Sequence, residues 1–574
     1  AKVFTSRPQS GSVMPAALIP DTAENHKIFT KYARFQIAFT ARLGKTLGNF
    51  MPAMFAVPTD HTLRRRSFLR TTSLAAAACW ANPISGVARA SGPVSDHPFQ
   101  LGVASGDPSA DGFVIWTRLA PEPLQPGGGM GGELVKVRWR VGADEALKKI
   151  VASGTANASP DWAHSVHVEI GGLEPDRWYW YEFEALGAVS TRGRARTLPV
   201  AGAAVDRLRF AFASCQHYET GYYTAYEHMA REDLDLVFHL GDYIYEYAGK
   251  DGRVRKHLGE EIESLDDYRI RHAQYKSDPA LQAMHAAAPW FVTWDDHEFD
   301  NNYADDISEE PGIDPVVFLR RRANAYKAYY EHMPLRTVSL PKGPDMRLYR
   351  AFDFGSLARF CVLDTRQYRS DQPCGDGNKP PCGEEMNPEA SILGATQRDW
   401  LFRQLSGSPA AWNALAQQVM IAKVDFKPGP DISHSMDQWP GYEVERRSLL
   451  RFLKEAEVSN PVAFAGDIHS NWANELCLDF EGGDGACVAA EFVGTSISSS
   501  GDGTADPKHL PGLIAENPFV KFHNVERGYV TCDVTPGSWL THYKTVPYVS
   551  KPGAPLNLRA SFQVENGRPG LNRA

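Results

Sequence analysis

Four short clusters of metal-type side chains recur along this 574-residue chain, each directly after an apolar run. Leu208 to Ala213 ends in Ser214-Cys215, and Leu234 to Leu240 ends in Gly241-Asp242-Tyr243-Ile244-Tyr245. Trp290 to Trp294 ends in Asp295-Asp296-His297-Glu298, and Val462 to Ala465 ends in Gly466-Asp467-Ile468-His469. Thiol, phenol, imidazole and carboxylate are the groups that hold metal cations in proteins. Each cluster alone has a plainer reading: Cys215 as a small buried residue, Asp242 as a turn-former, His469 as a satisfied surface histidine. Four together, each at the end of an expected strand, are hard to obtain from turn chemistry and predict one converging site.

The elements that must position these residues fall into two styles. From Phe99 to Thr197 short alternating, β-branched and aromatic runs predict strands at Val114 to Arg118, Val135 to Val141, His167 to Ile170 and Trp178 to Phe183, linked by Gly/Pro-rich turns such as Pro126 to Gly129. This pattern predicts an N-terminal antiparallel β-sandwich, immunoglobulin or fibronectin III-like, over 91–200. Beyond a linker at Pro199 to Ala204, strands alternate with helices. The apolar runs above, with Arg359 to Leu363 and Gln418 to Ala422, predict buried strands, and Val316 to Glu331, Thr396 to Leu405 and Tyr442 to Glu455 predict helices. Residues 201–574 therefore read as an α/β layered catalytic domain with C-terminal strands.

Charge is unevenly distributed. Residues 1–90 hold 12 Lys and Arg against 3 Asp and Glu, leaving 48 against 66 in the rest, a surplus of 18 negative charges. An acidic body disfavours stable nucleic-acid binding, which draws on cationic phosphate contacts. No apolar run reaches the roughly 20 residues a spanning helix needs. Arg64-Arg65-Arg66-Ser67-Phe68-Leu69-Arg70, a weakly apolar stretch and an Ala88-x-Ala90 site resemble a twin-arginine export signal over 64–90. The expectation is a periplasmic or extracellular protein whose precursor meets the twin-arginine machinery, with 1–63 an upstream extension outside the native structure. Of eight cysteines, Cys374/Cys382 and Cys477/Cys487 flank short Gly-rich loops and read as disulfides in an oxidising compartment, with reduced loop thiols as the alternative.

The order Asp-x-x-Tyr, Asp-His-Glu and Gly-Asp-x-His resembles the calcineurin-like metallophosphatase signature. Phe212 to Tyr222, Trp294 to Asn302, Asp364 to Arg369 and Phe464 to Ser470 resemble the alkaline phosphatase D (PhoD) family in particular, and the similarity runs from about Phe99 to the C-terminus. The resemblance implies a phosphoesterase acting on phosphate monoesters, diesters or both, with a phospholipase D-type or other phosphodiesterase (phospholipid or nucleotide diesters) on the same core as the alternative. A non-enzymatic metal-stabilised binding protein is the reading from another class. Carried over by position, the resemblance implies that Asp242 bridges two cations. On the same resemblance, Cys215, Tyr245 and His469 are expected to complete a first site for Fe(III), whose Lewis acidity can depress a phenol's pKa of about 10. Asp296 and Asp467 stand where the purple acid phosphatase branch has asparagine and histidine, and Gln417 to Met420 offers no histidine; this carboxylate-rich second site favours Ca(II). His297 is then the candidate proton donor to the leaving group, and Arg366 a phosphate contact, with a structural ion pair as its alternative reading.

Overall fold

A computed structural model of the chain describes residues 97–574 apart from 479, 481–484, 506 and 509; the expected extension 1–63 and signal 64–90 lie outside the described residues. The first strands are β1 (Val103–Ser109), β2 (Gly112–Arg118), β3 (Val135–Gly142), β4 (Ile150–Ala158), β5 (Ser165–Ile170), β6 (Trp178–Ala185), β7 (Ala188–Val189) and β8 (Gly193–Arg196). In β3, Val137 and Val141 are buried while Lys136, Arg138 and Arg140 face water, which is the period-two signature of a half-covered strand. An antiparallel sheet β4-β3-β6-β7, with β8 also on β6, faces the antiparallel set β1-β2-β5. Phe113, Ile115 and Val166 from one layer share a core with Val137, Tyr181 and Phe183 from the other. The second layer does not end there. Gly106 of β1 pairs in parallel with Trp290, so β1-β2-β5 continues a sheet of the following domain. A side chain at Gly106 would meet the Trp290 carbonyl at 2.8 Å, so glycine permits this approach.

The later strands are β9 (Leu208–Ala213), β10 (Leu236–His239), β11 (Trp290–Val292), β12 (Arg350–Phe354), β13 (Ala358–Val362), β14 (Asn378–Lys379), β15 (Trp412–Ala416), β16 (His434–Ser435), β17 (Pro461–Ala465), β18 (Asn471–Cys477), β19 (Cys487–Val493), β20 (Val520–Asn524), β21 (Arg527–Val534), β22 (Ser538–Val546), β23 (Asn557–Glu565) and β24 (Arg568–Arg573). They form a ten-stranded sheet, β24-β23-β22-β21-β9-β10-β11-β1-β2-β5, and a seven-stranded one, β12-β13-β15-β17-β19-β18-β20. Parallel pairing runs through β9-β10-β11 and through β13-β15-β17-β19. The two sheets bury Phe210, Phe212 and Phe238 against Phe360, Val362 and Phe464, each such side chain contributing roughly 1.5–3 kcal/mol. Helices cover the other faces: Leu265–Lys276, Pro279–Ala287 and Pro315–His332 contribute to one core, Gly394–Leu405 and Glu443–Glu455 to another. Pro315–His332 starts where sequence rules place a start, with Pro315 in the first turn and Asp314 accepting from the Val316 and Val317 amides.

The expected strand Gln418 to Ala422 is corrected: the strand is Trp412–Ala416, and Val419 to Ala422 is an apolar run buried in the helix-side core without being extended sheet. Burial, not strand pairing, gave that run its composition. The two cysteine pairs differ. Cys374 and Cys382 are bridged, whereas Cys477 and Cys487 face one another across β18 and β19 as free thiols. Their sulfurs turn instead to the carbonyls of Glu475 and Ala489.

Candidate metal centre

Parallel strands deliver their C-terminal ends to one edge, and every cluster singled out above lies there. β9 leads to Cys215, β10 to Asp242, β11 to Asp295 and Asp296, β13 to Arg366, and β17 to Asp467 and His469. The two sheets meet at this edge through a bridge between Ser214 and Ser496. Gly466 is needed for it, since a Cβ there would stand 2.3 Å from the Ser214 hydroxyl. Cys215, Asp242, Asp467 and His469 all adopt left-handed backbone, with φ of 58°, 56°, 64° and 55°. Such conformations are costly for these residues and cluster at functional sites.

Three groups of ligand atoms form a chain, each group lying within 4.8 Å: Cys215, Asp242 and His469; Asp242, Asp296 and His297; Asp295, Asp296 and Asp467. Asp242 belongs to the first two. Its Oδ2 accepts the Tyr245 phenol at 2.7 Å, while its Oδ1 is buried without a partner. Tyr245 also lies 3.1 Å from His469 Nε2 and 2.8 Å from the Ser499 hydroxyl. The structure thus brings Cys215, Asp242, Tyr245 and His469 together, and sets Asp296, His297 and Asp467 beside them.

Arg366 is fully buried in a ring of carboxylates. Its guanidinium donates to Asp295, to both oxygens of Asp437 at 2.9 Å and to Asp467 at 3.1 Å, with Asp296 at 3.5 Å. The geometry is that of an ion-pair hub. His297 Nδ1 lies 2.8 Å from Glu246 Oε2, and its ring packs on Tyr245. Asp295 and Glu298 stood in a recognised cluster without an assigned role, and sequence reasoning missed Glu246, Asp437 and Gln438. Glu298 ties two ligand loops, accepting the Asp242 amide at 3.1 Å and the Asp295 amide at 2.8 Å. Gln438 donates to Asp467 Oδ2 at 3.0 Å. Glu246 adjoins the recognised Tyr245 and carried that signal; Asp437 and Gln438 lie on a loop with none.

Burial and close packing set the electrostatics of the cluster. Burial, then the Asp242 carboxylate, pushes the Cys215 thiol and the Tyr245 phenol well above their ordinary values. Burial raises Asp467 to about 7 although Arg366 opposes it, and holds Asp295 well above the carboxylate range. At Asp296 burial is outweighed by Arg366 and His297, and the carboxyl stays ionised. Burial lowers His469, keeping a neutral imidazole with a lone pair to give. Burial alone would lower His297, but Glu246, Asp296 and Asp242 together hold it well above its ordinary value. Acids packed this tightly, with the Asp242 and Asp295 oxygens unpartnered, fit bound cations.

Family models for the PhoD-like phosphatase and for its N-terminal domain match residues 210–543 and 86–199. The chain belongs to the PhoD-like phosphatase family. It is 53% identical over 484 residues to alkaline phosphatase D of Bacillus subtilis (strain 168), a match covering 83% of each chain. A solved structure described as that of PhoD superposes with a TM-score of 0.82 at 53% identity, covering 84% of this chain and 92% of the other. The protein is a phosphoric ester hydrolase, and no helix among its described residues is long and apolar enough to cross a membrane. These matches bear out the family resemblance carried by the strand-end motifs.

Proposed function

We propose that the protein is a secreted, metal-dependent phosphoesterase that releases phosphate from organic esters outside the cytoplasm. The observation that carries the metal dependence is Asp242, shared between two ligand groups with one buried oxygen left unpartnered. Cys215, Asp242, Tyr245 and His469 would hold Fe(III), a mixed thiolate, carboxylate, phenolate and imidazole set. Asp242, Asp296 and Asp467, all hard oxygen donors, would hold Ca(II). When bound, the cations supply charge neutralisation and Lewis acidity toward a phosphate ester. Glu246 accepts a hydrogen bond from Nδ1–H of His297, so Nε2 is left to carry the proton that the departing alkoxide needs. Arg366 binds and orients: it gathers Asp295, Asp296, Asp437 and Asp467 so that their charges can share one small volume, and a role in contacting phosphate follows only where a substrate displaces one of them.

The finer architecture is read in the same way. Two facing antiparallel layers support an immunoglobulin or fibronectin III-like sandwich, and two sheets with helices outside support metallophosphatase layering. Precursor export through the twin-arginine pathway fits a site assembled from strands far apart in sequence, which exists only in a folded chain. The test is turnover of p-nitrophenyl phosphate and of bis-p-nitrophenyl phosphate before and after chelation. Activity on at least one that chelation abolishes, and that iron with calcium restores, supports the reading. The ratio of the two rates assigns monoester or diester preference, and activity indifferent to chelation overturns the metal role.

A further inference from the structure

Cys374 and Cys382, eight residues apart, close a bridged loop that reaches the oxygen donors of the acidic centre by two routes. Asp376 Oδ2 accepts from the Asn302 side-chain amide at 2.7 Å, and the Asn302 backbone amide donates to Asp296 Oδ2 at 2.8 Å. The Gly377 carbonyl accepts the Met436 amide at 2.9 Å. The two residues after Met436 are Asp437, which holds Arg366 through both oxygens at 2.9 Å, and Gln438, which donates to Asp467 Oδ2 at 3.0 Å. Gln372, two residues before Cys374, joins the routes: its amide donates to the Asn302 carbonyl at 2.6 Å and to Asp437 Oδ1 at 3.1 Å. Cys215, Tyr245 and His469 are braced by a different set of residues, Ser214, Ser499 and Ser500.

The bridge holds the loop in a shape it would not keep cheaply alone. Cys374 and Asp376 adopt left-handed backbone, with φ of 57° and 62°, a conformation that persists at such residues only where the surroundings impose it. Glu384 accepts the Cys374 amide at 2.7 Å, and Glu385 accepts the Cys382 and Gly383 amides at 3.2 and 2.8 Å, so these carboxylates anchor only the base of the loop. Its span is tied to the centre by the contacts above and by the two-residue pairing of β14 with β16. Opening the bridge returns conformational freedom to that span, against which a few hydrogen bonds must then work. Cys382 is exposed and Cys374 partly so, which puts the bridge within reach of dissolved thiols.

We propose that the Cys374–Cys382 bridge is a redox-modifiable site that positions Asp296 and Asp467, so that its reduction by a dithiol weakens calcium binding at the oxygen-donor set and leaves the iron set in place. The proposal rests on the calcium assignment made above. In the reaction one thiolate of the dithiol attacks the Cys382 sulfur, the sulfur–sulfur bond breaks, and Cys374 leaves as a thiolate that takes up a proton. The second thiol of the reductant then attacks the mixed disulfide and releases Cys382 as a thiol. Two electrons and two protons pass to the protein, and the reductant leaves as a cyclic disulfide.

Protein purified with its iron is freed of calcium by dialysis against EGTA, and calcium is titrated back by calorimetry. Three forms are compared: the bridged wild type, the wild type reduced with dithiothreitol and desalted without air, and Cys374→Ser with Cys382→Ser. Groups that brace a metal's ligands typically change its affinity by about 10–100-fold when lost, and calcium should bind both unbridged forms more weakly by that factor. Iron content should be the same in all three. Reoxidation of the reduced wild type should restore the affinity, which a folding defect would not allow. Asp376→Ala, which keeps the bridge and cuts the Asn302 route, should fall between, and Cys477→Ser with Cys487→Ser should respond to dithiothreitol as the wild type does. Equal calcium affinity with and without the bridge overturns the proposal, and so does loss of iron in step with calcium. If calcium does not bind the bridged protein, the calcium assignment fails. Hydrogen exchange at the Asn302 and Met436 amides then decides whether the bridge positions the two loops: faster exchange on reduction supports it, and unchanged exchange overturns it.

Discussion

Glu246→Gln keeps the size of the side chain and an oxygen for the Asn301 amide, now 3.1 Å from Oε1, while removing the charge that faces His297 at 2.8 Å. Burial favours neutral His297; Glu246 is the first group that opposes it. A hydrogen bond to a charged partner contributes roughly 1.5–3 kcal/mol, which is about one to two pH units of proton affinity. His297 must be protonated to serve as an acid, so its loss of affinity appears at high pH. The assay is the pH profile of kcat/KM on an alkyl phosphate, whose alkoxide needs a proton, and on p-nitrophenyl phosphate, whose leaving group hardly does. The alkaline limb for the alkyl ester should move down by about one to two units, with a loss of about 10–100-fold above it. The p-nitrophenyl profile should barely change. An unmoved limb, or equal loss on both esters, would refute the chain of reasoning from Glu246 to His297 to the leaving group.

Lys276 is buried over the Trp116 ring at 4.3 Å, with His285 at 3.5 Å, and burial lowers its pKa from 10.5 to about 7. The unfolded chain binds the extra proton between those values, so stability is complete above about pH 10.5 and is lost as pH falls to about 7, by up to about 4 kcal/mol. Guanidinium chloride midpoints at pH 7 and pH 10 should show this, and Lys276→Met should flatten the difference; an unchanged pH slope in the variant would contradict it. Arg366→Met strands buried carboxylates and should destabilise the metal-free protein by about 3–5 kcal/mol, read as a lower urea midpoint, with added calcium recovering part of the loss. A neutral midpoint would mean that the guanidinium is not the hub of the cluster. For export, Arg65→Lys with Arg66→Lys should leave active precursor in the cytoplasm, and N-terminal sequencing of the wild-type product should begin at Ser91; normal export of the variant would show the signal misread.

Much of the fold was legible because local pattern and tertiary role agreed. Leu208 to Ala213, buried apart from the partly covered Arg209, reads as an otherwise apolar run and is a strand between one parallel and one antiparallel neighbour. The helix expected at Val316 to Glu331 is present, and the structure extends it by one residue at each end, with Asp314 and Pro315 at its start. Failures came where burial arises without regular structure, as at Gln418 to Ala422, and where pairing is non-local. Nothing in β1 announces that Gly106 will lie beside Trp290 and join two domains into one sheet. The candidate site was legible where a ligand-type residue follows a strand, because a parallel sheet sends all such ends to one edge. Asp437 and Gln438 escaped because they reach the site from a loop: Met436 is held to Gly377 of the bridged Cys374–Cys382 loop, and β14 pairs with β16 just before them. Such a connection depends on tertiary contacts that no spacing encodes. The Cys477 and Cys487 thiols show the reverse case, a short loop whose spacing suits a bridge but whose sulfurs turn to nearby carbonyls.

The central claim is that Cys215, Asp242, Tyr245 and His469 hold iron beside a calcium-binding set of Asp242, Asp296 and Asp467. Elemental analysis of the purified protein, paired with its visible spectrum, tests it most directly. The account predicts iron together with calcium and a tyrosinate-to-iron charge-transfer band that disappears in Tyr245→Phe. Two equivalents of zinc with no iron, or a band that survives Tyr245→Phe, would contradict it.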